Sequence, residues 1–217
     1  MNLSDRLNTI LELIEPTDVL VDVGTDHGYV SIQAIIDNKC KKAYGLDIAS
    51  GPLSYANRNI LEAGLEDKIQ TYQLDGLKGF NDKADAFVIA GMGFETIISI
   101  IEHYPFDPSQ QIILQSNTKQ YDFRKALSKL GFKIIDERFL FDNNKPVTIL
   151  KVMKESFTLS EEDAFLGPIL KNTNNQDYIK YLSHEYDKLK HVVNYNKNYE
   201  ERFTILINYL AKKGVTL

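Results

Sequence analysis

Short apolar runs alternate with helical periods along the first two thirds of the chain. The apolar runs, bounded by turn-forming or charged residues, predict strands at Val19–Val23, Ala43–Leu46, Ile69–Leu74, Ala86–Ala90 and Ile112–Gln115. Between them, apolar residues recur at helical spacing, which predicts helices at Tyr29–Asp37, Pro52–Ala63, Glu95–His103 and Tyr121–Leu130. Strands that alternate with helices in this way form a mainly parallel sheet with helices on both faces.

The two ends of this alternating region have a different pattern. A helix is predicted over Met1–Ile14, because its apolar residues share one face and Pro16 ends it. Two further strands are predicted at Lys133–Phe141 and Val147–Met153. The turn between them, Asp142–Pro146, is too short for a helical crossover, so the two strands must pair antiparallel. The predicted fold class is therefore α/β, with a Rossmann-like sheet that ends in an antiparallel hairpin.

From about Glu155 the strand signals stop, and the chain becomes polar and helical. The helix break is predicted near Asn194–Asn198 or, alternatively, at Asn172–Gln176. We expect two domains, a sheet domain over 1–154 and a helical, coiled-coil-like appendage over 155–217. The appendage is indicated by a narrow apolar seam at Ile179, Leu182, Tyr186, Leu189 and Val193, and by a second set that could pair with it at Phe203, Leu206, Ile207 and Leu210.

Composition indicates an ordinary globular protein. With 217 residues and 43% hydrophobic content, the chain can bury one good core. Charged residues interrupt the first helical segment, so no signal peptide is expected, and no stretch is apolar enough to span a membrane. The lone Cys40 excludes an internal disulfide framework, and a cytoplasmic location is the expectation. The formal net charge of −5 excludes the bulk basic balance that most easily marks a nucleic-acid binder.

The turn after the first strand reads Asp22-Val23-Gly24-Thr25-Asp26-His27-Gly28-Tyr29. A dinucleotide fingerprint would require glycines at positions 24, 26 and 29, but Asp26 and Tyr29 occupy two of these positions, so a pyrophosphate would meet a carboxylate. NAD is therefore disfavoured. The pattern suits a cofactor that carries a cationic sulfonium and amino group and has no phosphate.

Later strand ends add further candidate ligands, because the carboxyl ends of parallel strands converge on one crevice. Asp47 ends the second strand, where a carboxylate can accept both ribose hydroxyl hydrogens, and Asp75 could reach an adenine amino group. Strand-end aspartates and glycine turns also cap helices, an alternative that stays open most clearly for Asp75. No metal site is predicted. The predicted cofactor-binding residues are Asp22, Gly24, Thr25, Asp26, Gly28, Asp47, Ile48, Asp75, Gly76, Gly91, Met92 and Gly93.

Four segments together resemble the bacterial tRNA (adenine-22-N1)-methyltransferase family: Asp22–Gly28, Asp47–Leu53, Ile89–Gly93 and Leu114–Asn117. The resemblance continues into the tail, where the segments around Glu161 and Gly167 look like the family's entry into a C-terminal coiled-coil domain. It implies a class I methyltransferase fold, S-adenosylmethionine as the methyl donor, and N1 of a tRNA D-loop adenine as the acceptor. A parallel sheet that ends in an antiparallel hairpin agrees, by fold analogy, with a methyltransferase rather than a dehydrogenase.

Methylation at adenine N1 builds positive charge on the ring, so a carboxylate near the exocyclic amine would stabilise that charge or accept a proton. Asp26 is the candidate for this catalytic role. His27 could orient the carboxylate or stack on the base, and Asn59 is a candidate for a hydrogen bond near the pocket, although a surface position explains Asn59 equally well. An extruded target base would need an apolar surface, for which Tyr29, Met92 and Phe94 are the candidates.

The sequence constrains the cofactor more closely than the molecule that accepts the methyl group. The alternatives are a methyltransferase acting on another RNA or on a small molecule, a noncatalytic RNA-binding scaffold and, more remotely, a nicotinamide dehydrogenase. No obligate protein partner is indicated. Contact with tRNA would depend on local cations, which the interleaved acidic residues could equally make a solvated face: Arg6, Lys119, Arg124, Lys125, Lys129, Lys180, Lys188, Lys190, Lys197 and Arg202.

Overall fold

A seven-stranded sheet forms the centre of the computed structural model, which describes residues 3–193, 195 and 199–216. The strands lie in the order β3-β2-β1-β4-β5-β7-β6. Strand β7 pairs antiparallel with both of its neighbours, and the other neighbouring pairs are parallel, which confirms the predicted Rossmann-like α/β fold class. The strands are β1 (Thr17–Val23), β2 (Cys40–Asp47), β3 (Ile69–Gln73), β4 (Ala86–Met92), β5 (Gln111–Ser116), β6 (Phe132–Asp142) and β7 (Lys145–Lys154).

Helices cover both faces of the sheet. One buried cluster joins the sheet to the first three helices through residues such as Ile10, Ile32 and Ile60, and a second joins the opposite face to the next two through Ile97 and Phe123. Apolar side chains on both sides of the strands make burial of each face favourable. These helices are α1 (Asp5–Leu13), α2 (Tyr29–Ile36), α3 (Ser50–Glu62), α4 (Phe94–Ile101) and α5 (Gln120–Lys129).

The first helix is shorter than the predicted span of Met1–Ile14, part of which lies outside the described residues. It begins after Ser4, whose hydroxyl accepts a hydrogen bond from the backbone amide of Leu7 at 3.4 Å. A serine cap of this kind satisfies an amide that has no partner within the first helical turn. Arg6 and Leu7 therefore lie in the first turn of α1, close to the sheet edge at which β1 ends.

The turn between β6 and β7 is tighter than the predicted Asp142–Pro146 segment. Asp142 pairs directly with Lys145, so the turn consists of Asn143 and Asn144 alone. Both asparagines have positive φ angles, 49° and 62°, as a two-residue type I′ hairpin requires. The prediction of a longer turn was wrong because asparagine adopts this left-handed conformation readily, which allows the strands to continue to the turn itself.

The chain after β7 is helical. It forms α6 (Glu161–Leu166), a single 3-10 turn at Leu170–Asn172, α7 (Gln176–Val193) and α8 (Glu200–Lys212). Asn175 caps α7 by accepting the backbone amide of Tyr178 at 2.9 Å, so the segment Asn172–Gln176 lies at the start of α7 rather than between the two seam helices. The other predicted break, Asn194–Asn198, lies almost wholly outside the described residues.

Helices α7 and α8 pack on one another through part of the predicted seam. Leu182, Leu206 and Leu210 are buried in a shared cluster, and the rings of Tyr186 and Phe203 stack at a centroid distance of 5.5 Å. Phe139 of β6 is buried in the same cluster, which joins the two helices to the edge of the sheet. None of the helices among the described residues combines the length and apolar character needed to cross a bilayer.

A buried ion pair fixes the helical segment to the sheet. Arg124 of α5 donates from Nε to Oε1 of Glu137 on β6 at 2.8 Å, and the exposed fractions of the two side chains are 2% and 0%. The guanidinium also donates to the carbonyl oxygens of Ala164 and Phe165, at 3.2 and 3.3 Å. The other carboxylate oxygen accepts the backbone amides of Ile169 and Leu170, at 2.9 and 3.1 Å. The tail thus supplies the additional hydrogen bonds that a buried charge pair needs.

The prediction that Arg124 contacts RNA was wrong for this reason. Its guanidinium is buried in the protein and paired with Glu137. The sequence shows a cation on a polar helix, which is ordinarily a solvated residue. In the folded chain the tail packs over α5 and covers this side chain.

We predict that Arg124→Met lowers the free energy of unfolding by about 3–5 kcal/mol, because it leaves the Glu137 carboxylate buried without a counter-ion. Urea unfolding followed by circular dichroism measures the change. The neighbouring Lys125→Met removes a partly exposed pair with Glu161, at 3.2 Å, and is the matched control, with an expected loss below about 1 kcal/mol. Equal losses for the two variants would contradict the structural role of the buried pair.

Candidate active site

A cavity of about 470 Å³ opens at the carboxyl ends of β1, β2 and β4. Strand β1 lies between β2 and β4: the chain runs from β1 to β2 and β3 on one side and then crosses to β4 and β5 on the other, so the strand order reverses at this point. A crevice forms at such a switch point because the flanking helices diverge there, and ligands of α/β proteins bind in it. The cavity is lined by Arg6, Leu7, Asp22, Gly24, Thr25, Asp26, His27, Tyr29, Val30, Asp47, Ala90, Gly91 and Met92.

The structure brings most of the predicted site residues to this cavity. Among the candidate ligands, those in the β1 turn and at the ends of β2 and β4 line it: Asp22, Gly24, Thr25, Asp26, Asp47, Gly91 and Met92, together with the catalytic candidate His27. The remaining candidates do not contribute to the lining: Gly28, Ile48, Asn59, Asp75, Gly76 and Gly93.

Asp22 is the buried carboxylate of the site. Asp22 is the last residue but one of β1 and is 4% exposed. The hydroxyl of Thr25 donates to Oδ2 at 2.7 Å, and the hydroxyl of Ser31 donates to the same oxygen at 3.5 Å. Burial raises the pKa of Asp22 to about 6, although these hydroxyl hydrogen bonds oppose the shift. An acid whose ionised form is disfavoured by the fold, beside a cavity, is typical of a functional position.

The turn after β1 has its shape because two glycines allow close contacts. Gly24 has a φ of +75°, and a side chain there would run into the end of Met92. Gly28 begins α2, and a Cβ at this position would lie 3.3 Å from Cβ of Ala56 on α3. The turn therefore packs closely against α3 at Gly28 and against Met92 at Gly24.

Asp26 and His27 lie at the mouth of the cavity. Asp26 has a φ of +48°, and its carboxylate is 65% exposed. The Nε2 atom of His27 is 3.6 Å from the Asp26 carboxylate, and the imidazole stacks on the ring of Tyr29 at 5.2 Å. Asn59 reaches from α3 and donates from Nδ2 to the backbone carbonyl of His27 at 2.9 Å. Asn59 thus holds the backbone of the turn in place and does not itself line the cavity.

The acid at the end of β2 faces the cavity and shapes its own loop. Oδ1 of Asp47 accepts the backbone amide of Ala49 at 2.9 Å, and the side chain is half-buried. Ile48, the next residue, is 64% exposed. An acceptor with one oxygen held by the backbone has a fixed orientation, which suits it to bind a pair of hydroxyl donors.

Asp75 lies elsewhere. Its carboxylate pairs with Lys78 at 2.6 Å and borders a separate cavity of about 160 Å³. A Cβ at Gly76 would run into Ile100 of α4, so helix packing accounts for that glycine, and Gly93 is the N-cap residue of α4. Contact between Asp75 and a cofactor stays a prediction, and the position of the side chain does not support it.

Sequence analysis assigned no role to a polar network behind the cavity. Gln115, at the end of β5 and 1% exposed, accepts at Oε1 from Arg6 Nη1 at 3.1 Å and from the amide of Gly91 at 3.0 Å. Its Nε2 donates to Asn117, whose amide group donates to the carbonyl of Gly91 at 2.8 Å. The signal that could have found this network is a glutamine in an otherwise apolar strand, because a buried amide requires partners.

The side chains around the cavity define what it can bind. Three carboxylates, Asp22, Asp26 and Asp47, provide acceptors and negative charge, and Arg6 provides a cation. A ligand with hydroxyl and amino donors, a positive centre and a carboxylate matches this set. Among the residues described in the structure, no group of three or more His, Cys, Asp or Glu side chains is arranged to hold a metal ion.

Comparison with known proteins gives a consistent result. A family model described as tRNA (adenine(22)-N(1))-methyltransferase matches residues 20–213. The Bacillus subtilis (strain 168) tRNA (adenine(22)-N(1))-methyltransferase is 31% identical over 195 residues, which are 85% of this chain and 82% of that protein. A Streptococcus pneumoniae protein solved in complex with S-adenosyl-L-methionine superposes with a TM-score of 0.88 at 28% identity, covering 96% of this chain and 100% of that one. M. capricolum TrmK, solved with S-adenosyl-homocysteine, gives 0.79 at 29% identity, covering 97% and 96%.

We predict that Asp22→Asn stabilises the ligand-free protein at pH 7.5 by about 1–3 kcal/mol, because the folded chain no longer holds a buried carboxylate ionised. The pKa of Asp22 is raised from 3.8 to about 6. The protonated carboxyl therefore costs the fold nothing below pH 3.8, and the destabilisation by the buried carboxylate develops in full as the pH rises through 6. The gain should therefore shrink as the pH is lowered from 7.5 to 5.

Thermal unfolding of both proteins across this pH range measures the effect. The exposed Asp67→Asn variant is the control for loss of one negative charge and should show no such pH dependence. A difference between Asp22→Asn and the parent protein that stays constant from pH 5 to 7.5 would show that the burial of Asp22 carries no such cost.

Proposed function

The chain belongs to the tRNA (adenine(22)-N(1))-methyltransferase family, and we propose that its cavity brings S-adenosylmethionine together with N1 of adenine 22 in tRNA. It is an S-adenosylmethionine-dependent enzyme, as predicted, and the scaffold and dehydrogenase alternatives lose their support. The observation that carries the proposed mechanism is the meeting of Asp22, Asp26 and Asp47 around one cavity at the switch point of the sheet.

The residues of the cavity fit the cofactor. Asp47 provides the acceptor for the ribose hydroxyls, and Asp22 provides negative charge for the cationic part of the molecule. Arg6, held by Gln115, is suited to the carboxylate of the methionine portion. Gly24 lines the cavity and has no side chain that would occupy it. A pyrophosphate would instead meet the Asp26 carboxylate, which explains why a dinucleotide does not fit.

When bound, S-adenosylmethionine would supply a methyl group on a cationic sulfur: an in-line nucleophile bonds to the methyl carbon as the carbon–sulfur bond breaks, and a neutral thioether leaves. The chain's own task is to hold adenine N1 in line and to exclude water. We propose that Asp26 faces the exocyclic amine of the adenine, where its carboxylate stabilises the positive charge that N1 methylation creates or accepts the amine proton. The exposure of Asp26 at the mouth leaves it accessible to a base that enters from outside.

His27 and Asn59 have supporting roles in this mechanism. We propose that His27 orients the Asp26 carboxylate and offers its ring as a stacking surface beside Tyr29. Asn59 is a positioning residue, because it binds the backbone of His27 rather than the cavity. Tyr29 and Met92 line the cavity and can pack on the entering base, whereas the ring of Phe94 lies outside it, 5.3 Å below the ammonium of Lys119.

Recognition of the rest of the tRNA is proposed to involve both halves of the chain. We propose that residues 1–154 form the methyltransferase domain and that 155–217 form a helical domain beside it. Several of the predicted cations are engaged with protein groups: Lys119 pairs with Glu95 at 2.9 Å, and Lys188 pairs with Glu185 at 2.6 Å. Lys197 lies outside the described residues. Local positive charge rather than net charge must attract the phosphates.

We predict that Asp47→Ala weakens binding of S-adenosylmethionine by roughly 10- to 100-fold, because two ribose hydroxyls lose a charged acceptor. Isothermal titration calorimetry measures the dissociation constant. Asp75→Ala is the matched control, with an expected change below about threefold, because Lys78 holds that carboxylate outside the cavity. A larger loss in Asp75→Ala than in Asp47→Ala would reverse the assignment of the two acids.

We predict that Asp26→Asn lowers the rate of methyl transfer to tRNA by roughly 100-fold, because charge stabilisation or proton acceptance at the amine is lost. Asparagine tolerates the left-handed backbone at this position, so the turn should keep its shape. Single-turnover assays measure the rate, and calorimetry checks that the affinity for S-adenosylmethionine changes little. A variant that transfers the methyl group at the parent rate would exclude Asp26 from catalysis.

A further inference from the structure

Aromatic rings continue from the cavity onto the surface of α3. The rings of Tyr29 and His27, which line the cavity, stack nearly parallel at an interplanar angle of 14°. The ring of Tyr55 follows, 5.5 Å from His27, and the guanidinium of Arg58 lies 5.8 Å from the centre of the Tyr55 ring. Tyr55 and Arg58 lie outside the cavity lining, and the residue Tyr55 is 52% exposed.

This array is built into the fold rather than formed by free surface side chains. Ala56, next to Tyr55, packs against Gly28, and Asn59, one turn further along α3, binds the carbonyl of His27. The same turn of α3 therefore supports the cavity mouth and presents Tyr55 beside it. Rings that are already in place lose little conformational freedom when a ligand stacks on them.

We propose that Tyr55 and Arg58 form a binding site for an unpaired nucleotide that flanks the methylated adenine in the RNA. The inference rests on the proposed function, because it takes the target base to occupy the cavity beside His27 and Tyr29. The neighbouring base then stacks on the ring of Tyr55, and the guanidinium of Arg58, which lies over that ring in the free protein, moves to the phosphate of the bound nucleotide.

The chemistry of this surface favours RNA as the occupant. Proteins that bind unpaired nucleotides combine aromatic rings for the bases with a cation for the backbone, and both are present here. Stacking also offsets the weak general attraction for phosphate that follows from a net charge of −5. Arg58 lies 3.6 Å from Glu62, but both side chains are about two-thirds exposed, so this surface pair is weak enough to open for a phosphate.

The test compares Tyr55→Ala with Tyr55→Phe in the full-length enzyme. We expect Tyr55→Ala to raise the dissociation constant for tRNA roughly 5- to 100-fold, as loss of one base-stacking surface does, and Tyr55→Phe to restore it. Affinity for S-adenosylmethionine and the single-turnover rate at saturating tRNA should stay within about twofold of the parent enzyme. The control is Tyr72→Ala, which removes a partly exposed ring stacked on Tyr44 and should leave tRNA affinity unchanged.

Two results would overturn the inference. The first is an unchanged tRNA affinity in Tyr55→Ala, provided that the parent enzyme methylates tRNA. The second is a lower single-turnover rate at saturating tRNA with unchanged affinity, which would place Tyr55 against the target adenine instead of its neighbour. A parent enzyme that binds S-adenosylmethionine but methylates no tRNA would contradict the proposed function itself, and so is distinguishable from both results.

Discussion

Parallel pairing of β1 with β2 on one side and β4 on the other is the constraint on which the site depends. In this register Val23 lies beside Leu46 and Ile89, so the three strands end at the same edge. Asp22, Asp47 and Gly91 are far apart in the sequence and meet only because of this alignment. A shift of one residue in either pairing would move the alternating side chains to the opposite face of the sheet and dismantle the cavity.

The cavity contains a group that lowers the stability of the folded chain. Asp22 is buried and has a raised pKa, so the folded chain is less stable at neutral pH than it would be with an uncharged residue there. The surrounding structure compensates locally, with hydroxyl donors from Thr25 and Ser31 and with the amide of Asn59 fixing the adjacent turn. Strain and desolvation that persist at one point of a well-packed fold are typical of a site kept for binding or catalysis.

A second buried charge has a structural task. The Arg124–Glu137 pair is satisfied on both sides by backbone groups of the tail, which fixes the start of the helical segment against α5 and β6. Buried ion pairs are costly to form, but removing one partner is worse, so this contact specifies where the tail lies more than it adds stability. The tail is thereby held in a fixed arrangement against the sheet that carries the cavity.

The parallel sheet, its hairpin, the glycine turn and the position of Asp47 at a strand end could be predicted from the sequence, because they follow from local periodicity and from turn chemistry that acts over a few residues. Which polar residues face the cavity, in contrast, depends on how the chain folds. In the folded chain Arg6 lines the cavity and is held by Gln115 behind it, Asp75 lies outside it, Asn59 has a backbone partner and Arg124 is buried. Each of these outcomes depends on contacts between residues distant in the chain, and a sequence pattern carries the identity of a side chain but not the neighbours that folding brings to it.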